Sequence, residues 1–300
     1  MVVHLPFLGA GLSFRKELKA DILANSECFD LLELIADQYI DKPSFRTAEA
    51  SELAKQFPLI LHGVDLSIGT DCPLDTDYLK KMCDVADLID AKWVSDHLSF
   101  TRIPGNRLGQ LTPLPFTDGM IKTVVAHVKE IKNLVGRPFL LENISYYFVV
   151  PESSMSEATF LSRVVTESDC FLLLDLTNLL NNSMNNAYDP IDFLEQIPLD
   201  RVVQIHLAGS TQVRKMWIDS HSRPVPEGVF HLLEYAVPKM PLLRGIIIER
   251  DQDFPSIDEI TSDLSRVRQI LKRNWIPTYL PQSDNQASEH HTKSVLSTSP

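Results

Sequence analysis

The sequence predicts a (β/α)8 barrel of the α/β class, the TIM barrel of the xylose-isomerase-like kind, and three observations predict it. Short apolar, β-branched runs bounded by turn residues recur eight times along the 300 residues. Helical patterns separate most of them, which is the rhythm of a parallel sheet built from βαβ units. Several runs are apolar almost without interruption, as strands covered on both faces must be. Size agrees, because such barrels typically need about 250 residues.

In chain order the candidate strands are 7–14 (FLGAGLSF), 31–36 (LLELIA), 59–68 (LILHGVDLSI) and 92–100 (KWVSDHLSF). Four more follow at 138–144 (PFLLENI), 171–179 (FLLLDLTNL), 201–209 (RVVQIHLAG) and 245–251 (GIIIERD). The clearest helical patterns cover 74–90, 117–135, 155–168, 226–237 and 256–273, with Asp75, Thr117, Ser156 and Ser256 standing where N-caps belong. A doubly wound open sheet is the competing architecture. Against it, the first strand leads into GAGLSFRKEL, without the G-x-G-x-x-G spacing of a dinucleotide site, and no phosphate-binding G-x-x-x-x-G-K-[ST] occurs. Residues 1–275 read as one catalytic barrel domain. From about residue 276 the chain turns polar (PQSDNQASEHHTKSVLSTSP), and 276–300 is expected to be a disordered tail in which His290 and His291 are solvated.

Composition excludes several function classes. With 44% hydrophobic and 23% charged residues the chain has a core to bury, and its net charge of −12 repels phosphate backbones. Nucleic acid is therefore not an expected partner. Neither a signal peptide nor an apolar run long enough for a membrane span is present, so no membrane partner is expected. Four cysteines, at 28, 72, 83 and 170, form no CxxC pair, which suits a reducing, cytoplasmic setting.

Barrels of this kind carry their chemistry at the C-terminal ends of the strands. Metal-ligand residue types recur there: His62, His97, Glu142, Asp175 with Asn178 just beyond it, His206 and Glu249, with Asp219 and His221 in the loop after the seventh strand. Singly, each has a bland explanation as a hydrogen-bonded core residue or a helix cap. Together they do not, because converging buried carboxylates and imidazoles repel one another without a metal. Nine donors exceed what one ion uses, so more than one metal is expected, with Glu142 or Glu249 as the natural bridge. The mixed nitrogen and oxygen set suits zinc, manganese or non-haem iron without choosing between them. Around these ligands, Glu33, Asp96, Asn143, Tyr146 and Arg250 are candidates for supporting a ligand or touching substrate. Alternation along the strand turns Asp96 away from His97 and puts Gln204 on the face of His206.

The phrases LHGVDLSIGT, VSDHLSF, LLENISYYF, LLLDLTNLL, IHLAGS and IDSHSRPV resemble the multinuclear non-haem iron-dependent oxidative enzymes, formerly domain-of-unknown-function family 692, which include methanobactin biosynthesis protein B. The resemblance runs from residue 7 to about 255, in family order. It implies two or three irons in mixed Fe2+/Fe3+ states, dioxygen as co-substrate, and oxidative modification of a residue, often cysteine, in a ribosomally made precursor peptide. It further implies that His62, His97 and Glu142 hold one iron, that Glu142 bridges to a second held by Asp175, His206 and Glu249, and that Asn178, Asp219 and His221 form a third, looser site. The trinuclear-zinc apurinic endonucleases share the plan but usually have histidine at the position of Asn178. The chain departs from the family at Lys16, Gln38, Thr177 and Ser222, which concern substrate loops more than ligands.

Lys16 and Arg250, near mouth loops, are candidates to hold a peptide carboxylate, and Tyr146 and Tyr147 to gate the cavity or pack the loop. No module for reading a leader peptide is evident, so a separate partner protein is expected, or extended loops such as 101–116 (TRIPGNRLGQLTPLPF), which equally suits an inert brace. Two other enzyme classes fit the same barrel: a divalent-metal sugar isomerase or epimerase, and a metal-dependent phosphodiesterase. A non-enzymatic metal-binding module is the remaining reading.

Overall fold

A computed structural model describes residues 5–275 except Pro104; the polar segment 276–300 lies outside the described residues. Each apolar run supplies one barrel strand. These are β1 (Gly9–Ser13), β2 (Leu32–Ile35), β3 (Leu59–His62), β4 (Val94–His97), β5 (Phe139–Glu142), β6 (Phe171–Asp175), β7 (Val202–Leu207) and β8 (Gly245–Ile248). Neighbours in sequence pair in parallel, and β8 closes the barrel on β1 with Gly9 opposite Gly245 and Leu12 opposite Ile248.

The alternation of strand side chains divides the core in two. Leu31, Ile60, Trp93, Leu140, Leu173, Val203 and Ile247 point inward and plug the barrel at its N-terminal end. Their out-facing neighbours, among them Leu61, Leu141, Leu172, Leu174 and Ile205, pack beneath the helices. One step further along the inward face the residues become polar, so the plug ends where the mouth begins.

Helices α1 (Lys19–Ala24), α2 (Ser44–Ala54), α3 (Thr76–Leu88), α4 (Asp118–Val135), α5 (Glu157–Ser168), α6 (Leu176–Asn186), α7 (Pro190–Leu194), α8 (Glu227–Ala236) and α9 (Ile257–Asn274) surround the sheet. Asp75, Thr117 and Ser156 cap α3, α4 and α5 by accepting the backbone N–H of Tyr78, Met120 and Thr159. Ser256 occupies the N-cap position of α9, but its side chain makes no capping bond. Among the described residues no helix is long and apolar enough to cross a membrane, and all four cysteines are free thiols.

Several boundaries differ from expectation. The run 59–68 stops being strand at His62, and 171–179 stops at Asp175, whose carboxylate accepts the Asn178 N–H at 2.7 Å and turns the chain directly into α6. Leu176, Leu179 and Leu180 then follow helical spacing within an apolar run too short to distinguish from strand by composition. Four helices carried no clear pattern: α1, α2, α6 and α7. In α2 only Ala50 and Leu53 are buried, too few apolar contacts to mark a stripe. The segment 101–116 is mainly a β-hairpin, Phe100–Ile103 against Asn106–Thr112, pinned to the barrel rim by Arg102 on Asp75 at 2.8 Å and by Arg107 on Asp65. A second hairpin, Thr211–Val213 against Met216–Ile218, rises after β7. Gly209 makes room for it: a Cβ there would stand 2.0 Å from the Arg223 carbonyl, so the returning chain crosses close over the strand end.

Candidate metal centre

The inward-facing side chain at the C-terminal end of six consecutive strands reaches one point above the plug. His62, Glu142, Asp175, His206 and Glu249 are buried, and His97 nearly so. Two groups of donors form, the ligand atoms of each all within 4.8 Å of one another: His62, His97 and Glu142 in one, and Glu142, Asp175, His206 and Glu249 in the other. In the first, His62 Nε2 lies 3.2 Å from Glu142 Oε2 and 3.3 Å from His97 Nε2, and His97 Nε2 lies 3.4 Å from the same oxygen. In the second, His206 Nδ1 lies 3.2 Å from Glu142 Oε1 and 3.3 Å from Glu249 Oε2. Donors on one ion at bonds of about 2.1 Å and tetrahedral or octahedral angles stand about 3.0–3.4 Å apart, so both groups have the right span. Glu142 offers one oxygen to each group, the geometry of a bridging carboxylate.

Two of the three imidazoles on the strands are oriented from behind. His62 Nδ1 meets Ser95 Oγ at 2.8 Å. His206 is turned the other way, presenting Nδ1 to the centre while Nε2 lies 3.0 Å from Glu33 Oε2. Glu33 is itself held by Gln204 Nε2 at 2.6 Å, and Gln204 Oε1 accepts the Trp93 indole N–H at 2.6 Å. Asp96 is completely buried on the opposite face of β4, where it accepts the backbone N–H of Leu66 and of His97. Asn143 braces β6 by exchanging bonds with the Asp175 backbone, both at 2.9 Å, and its carbonyl accepts the Asn178 amide.

The third group is more open. Asp219 Oδ1 approaches His221 Nε2 at 2.8 Å, and His221 Nε2 comes to 3.8 Å from Glu249 Oε2. His221 adopts φ +49°, which costs a residue other than glycine about 1 kcal/mol or more. Asp251 holds it there: its backbone N–H donates to the His221 carbonyl, its Oδ2 faces His221 Nδ1 at 3.2 Å, and Arg15 pairs with its Oδ1 at 2.5 Å.

Electrostatics and hydrogen bonding both suit a cation. Burial, with the charges of Asp219, Glu142 and Glu249, pushes the Asp175 carboxyl well above the usual range. Burial drives the His62 imidazole well down. For His206 burial acts in the same sense, but Glu249, Glu33 and Glu142 outweigh it and hold the ring well up; Asp219 and Glu249 do the same for His221. Glu142 Oε2, Asp175 Oδ2, Asn178 Oδ1, His206 Nδ1, Asp219 Oδ1 and His221 Nε2 are all buried without a hydrogen-bond partner. Buried polar atoms are nearly always satisfied. Here six unsatisfied atoms belong to metal-ligand types, and three of them, on Glu142, Asp175 and His206, fall in one donor group, so that donor set fits metal ions.

Some expected residues lie elsewhere. Arg250 is 4% exposed and its guanidinium is engaged by Glu259 of α9, on the side of β8 opposite Glu249, so it does not clamp a substrate carboxylate at the mouth. Lys16 is exposed beside Glu17. Tyr146 is buried, packs edge-on against Phe116 and donates its hydroxyl to Glu157 at 3.0 Å, a packing role rather than a gate. Tyr147 is half exposed, and burial with the Asp219 charge raises its phenol, which sets it beside the mouth. Sequence reasoning missed Arg15, Trp93, Ser95 and Asp251. A signal existed: each follows the inward period of two, as Arg15 after Ser13, Trp93 and Ser95 before His97, and Asp251 after Glu249.

A UPF0276 protein from Acaryochloris marina is 34% identical over 271 residues, covering 90% of this chain and 98% of its own. One from Caulobacter vibrioides is 34% identical over 264 residues, covering 88% and 94%. Among solved structures, D-psicose 3-epimerase from Clostridium cellulolyticum aligns with a TM-score of 0.59 at 13% identity over 88% of this chain and 99% of that one. Endonuclease IV from Thermus thermophilus gives 0.56 at 16% over 88% and 99%, a likeness of fold alone. Residues 9–272 match the family described as RiPP precursor modification enzyme MbnB/TglH/ChrH, and with the relatives above this makes the chain a member of that family.

Proposed function

We propose that this protein is a multinuclear non-haem iron, dioxygen-dependent oxidase or oxygenase that modifies a residue, with cysteine the first candidate, of a ribosomally made precursor peptide. The observation that carries the reading is the pair of donor groups sharing Glu142 at the barrel mouth, in which Glu142 Oε2, Asp175 Oδ2 and His206 Nδ1 are buried and unpartnered, in a chain whose family acts on such precursors. His62, His97 and Glu142 would hold one ion; Glu142, Asp175, His206 and Glu249 a second; and Asn178, Asp219 and His221 a third, the loosest because Asn178 offers a neutral amide oxygen and the His221 pair stands further from Glu249. Bound iron would supply the activation of dioxygen.

The chain's own contribution is orientation and shelter. Ser95 and Glu33 set which nitrogen of His62 and His206 faces the ions, and Asp251 with Arg15 sets His221. The apolar plug keeps water from the floor of the site. Above it, Tyr147, Phe148 and Val149 of the β5–α5 loop and Val213 of the second hairpin are exposed. Exposed apolar groups around a polar site suit a polypeptide laid across the mouth. We assign leader recognition to a separate partner protein.

Elemental analysis and Mössbauer spectroscopy of protein purified without oxygen test the reading. Two or more irons per chain are expected, with His62→Ala depleting the first ion and Asp175→Ala the second. Zinc or manganese in their place, or turnover of a sugar without oxygen, would overturn it.

A further inference from the structure

One well-formed cavity lies apart from the metal centre. It holds about 370 Å³ and lies outside the barrel, between the N-terminal end of α5, the C-terminal end of α6 and α7. Phe116, Val149, Met155 and Phe193 give it apolar walls. Its charged groups are all acidic: Glu157 lies within, Asp189 and Asp192 at the exposed rim, and no lysine, arginine or histidine lines it among the described residues. Glu157 has neutral company only. Tyr146 donates to its Oε2 at 3.0 Å, and Tyr188 and Asn182 also favour its charged form, yet burial outweighs all three and holds the carboxyl at about 7. A carboxylate in such a place lacks a cation.

The cavity is tied to the metal centre by a rigid ruler. Helix α6 starts at Asp175, its N-cap, and runs 11 residues to Asn186 on the cavity wall. That length is about 16 Å at 1.5 Å per residue, and an extended peptide spans it in about five residues. Val149 joins the cavity to the exposed apolar loop at the mouth. We infer that this cavity is a subsite for a lysine or arginine side chain of the peptide, about five residues along from the residue held over the metal centre. Apolar walls take the alkyl stem and Glu157 takes the charged head, as long cationic side chains require. The inference rests on the peptide substrate proposed above.

Fluorescein-labelled peptides Cys-Gly-Gly-Gly-Gly-X-Gly-amide, with X as lysine, arginine, norleucine or glutamate, test it by anisotropy on the metal-loaded full chain. Lysine and arginine peptides are expected to bind at least about tenfold more tightly than norleucine, and glutamate more weakly than either. Glu157→Gln should bring lysine within about twofold of norleucine, with norleucine binding and iron content unchanged. Asp192→Lys, at an exposed position where folding is not at risk, should weaken the lysine peptide selectively. Equal binding of lysine and norleucine by the unaltered protein, no binding of any peptide at millimolar concentration, or discrimination that survives Glu157→Gln would overturn the subsite. Iron content and oxygen consumption of the same sample separate the two readings: iron-loaded, oxygen-consuming protein without discrimination sinks the subsite alone, and discrimination without iron sinks the oxidative reading alone.

Discussion

At the scale of single residues the centre depends on which ring nitrogen is free. A metal on His206 Nδ1 forces the proton to Nε2, and Glu33 is placed to accept it. Glu33→Gln keeps the volume and loses the charge. Outer partners of ligating histidines are worth about 10–100-fold in metal affinity, so the ion held with His206 should be lost at lower chelator concentrations while the His62, His97 and Glu142 group keeps its own. Titration with a chelator and metal analysis at each step read this, and equal loss from both groups would refute it. Glu157 gives a pH signature. Its carboxyl titrates at about 7 in the fold against 4.5 for the ordinary side chain, so the native state holds the proton more tightly. The contribution to stability is full below pH 4.5 and lost as pH rises through about 7. The whole shift corresponds to about 3 kcal/mol, which partial exposure reduces to about 1–2. Glu157→Gln should therefore stabilise the protein by that amount at pH 8 and by little at pH 4.5, measured by urea unfolding; a pH-independent difference would count against the buried-acid description.

At the scale of elements, much was legible because burial on both faces writes itself as apolar runs and the period of two assigns each residue a face. All eight strands are where those runs stand. The ends were not legible. Whether LLLDLTNLL continues as strand or turns into helix is decided by one bond, Asp175 to the Asn178 N–H, and composition cannot reveal it. The same limit hid α2, whose stability comes from tertiary contacts rather than an apolar stripe. It also hid the partners of the ligands, since Arg15 and Asp251 meet only through closure of the first strand on the eighth. The caps offer a controlled comparison. Ser156→Ala removes a bond to the Thr159 N–H and should cost about 1 kcal/mol. Ser256→Ala removes none and should stay within about 0.5 kcal/mol. Equal costs in chemical denaturation would show that the capping bond is not what stabilises α5.

At the scale of the whole molecule the barrel has two unlike ends. One is the plug of seven apolar side chains, and the other is a ring of buried carboxylates and imidazoles. Without cations the ring opposes folding, since Asp175 is pressed against Asp219, Glu142 and Glu249. Because six of the eight barrel strands carry the ligands, whatever binds them ties most of the closed sheet together. A ligand at 1,000 times its dissociation constant adds about 4 kcal/mol, which for a domain of this size is on the order of 10 °C in melting temperature. Chelation should lower the melting temperature by that much, and ferrous iron added back without oxygen should restore it. Asp175→Asn separates the two causes. Asparagine can still cap α6 but carries no charge, so the metal-free variant should melt at or above the metal-free parent, while the rise on adding iron shrinks. A metal-free variant that melts well below its parent would mean that Asp175 serves the fold first and the metal second.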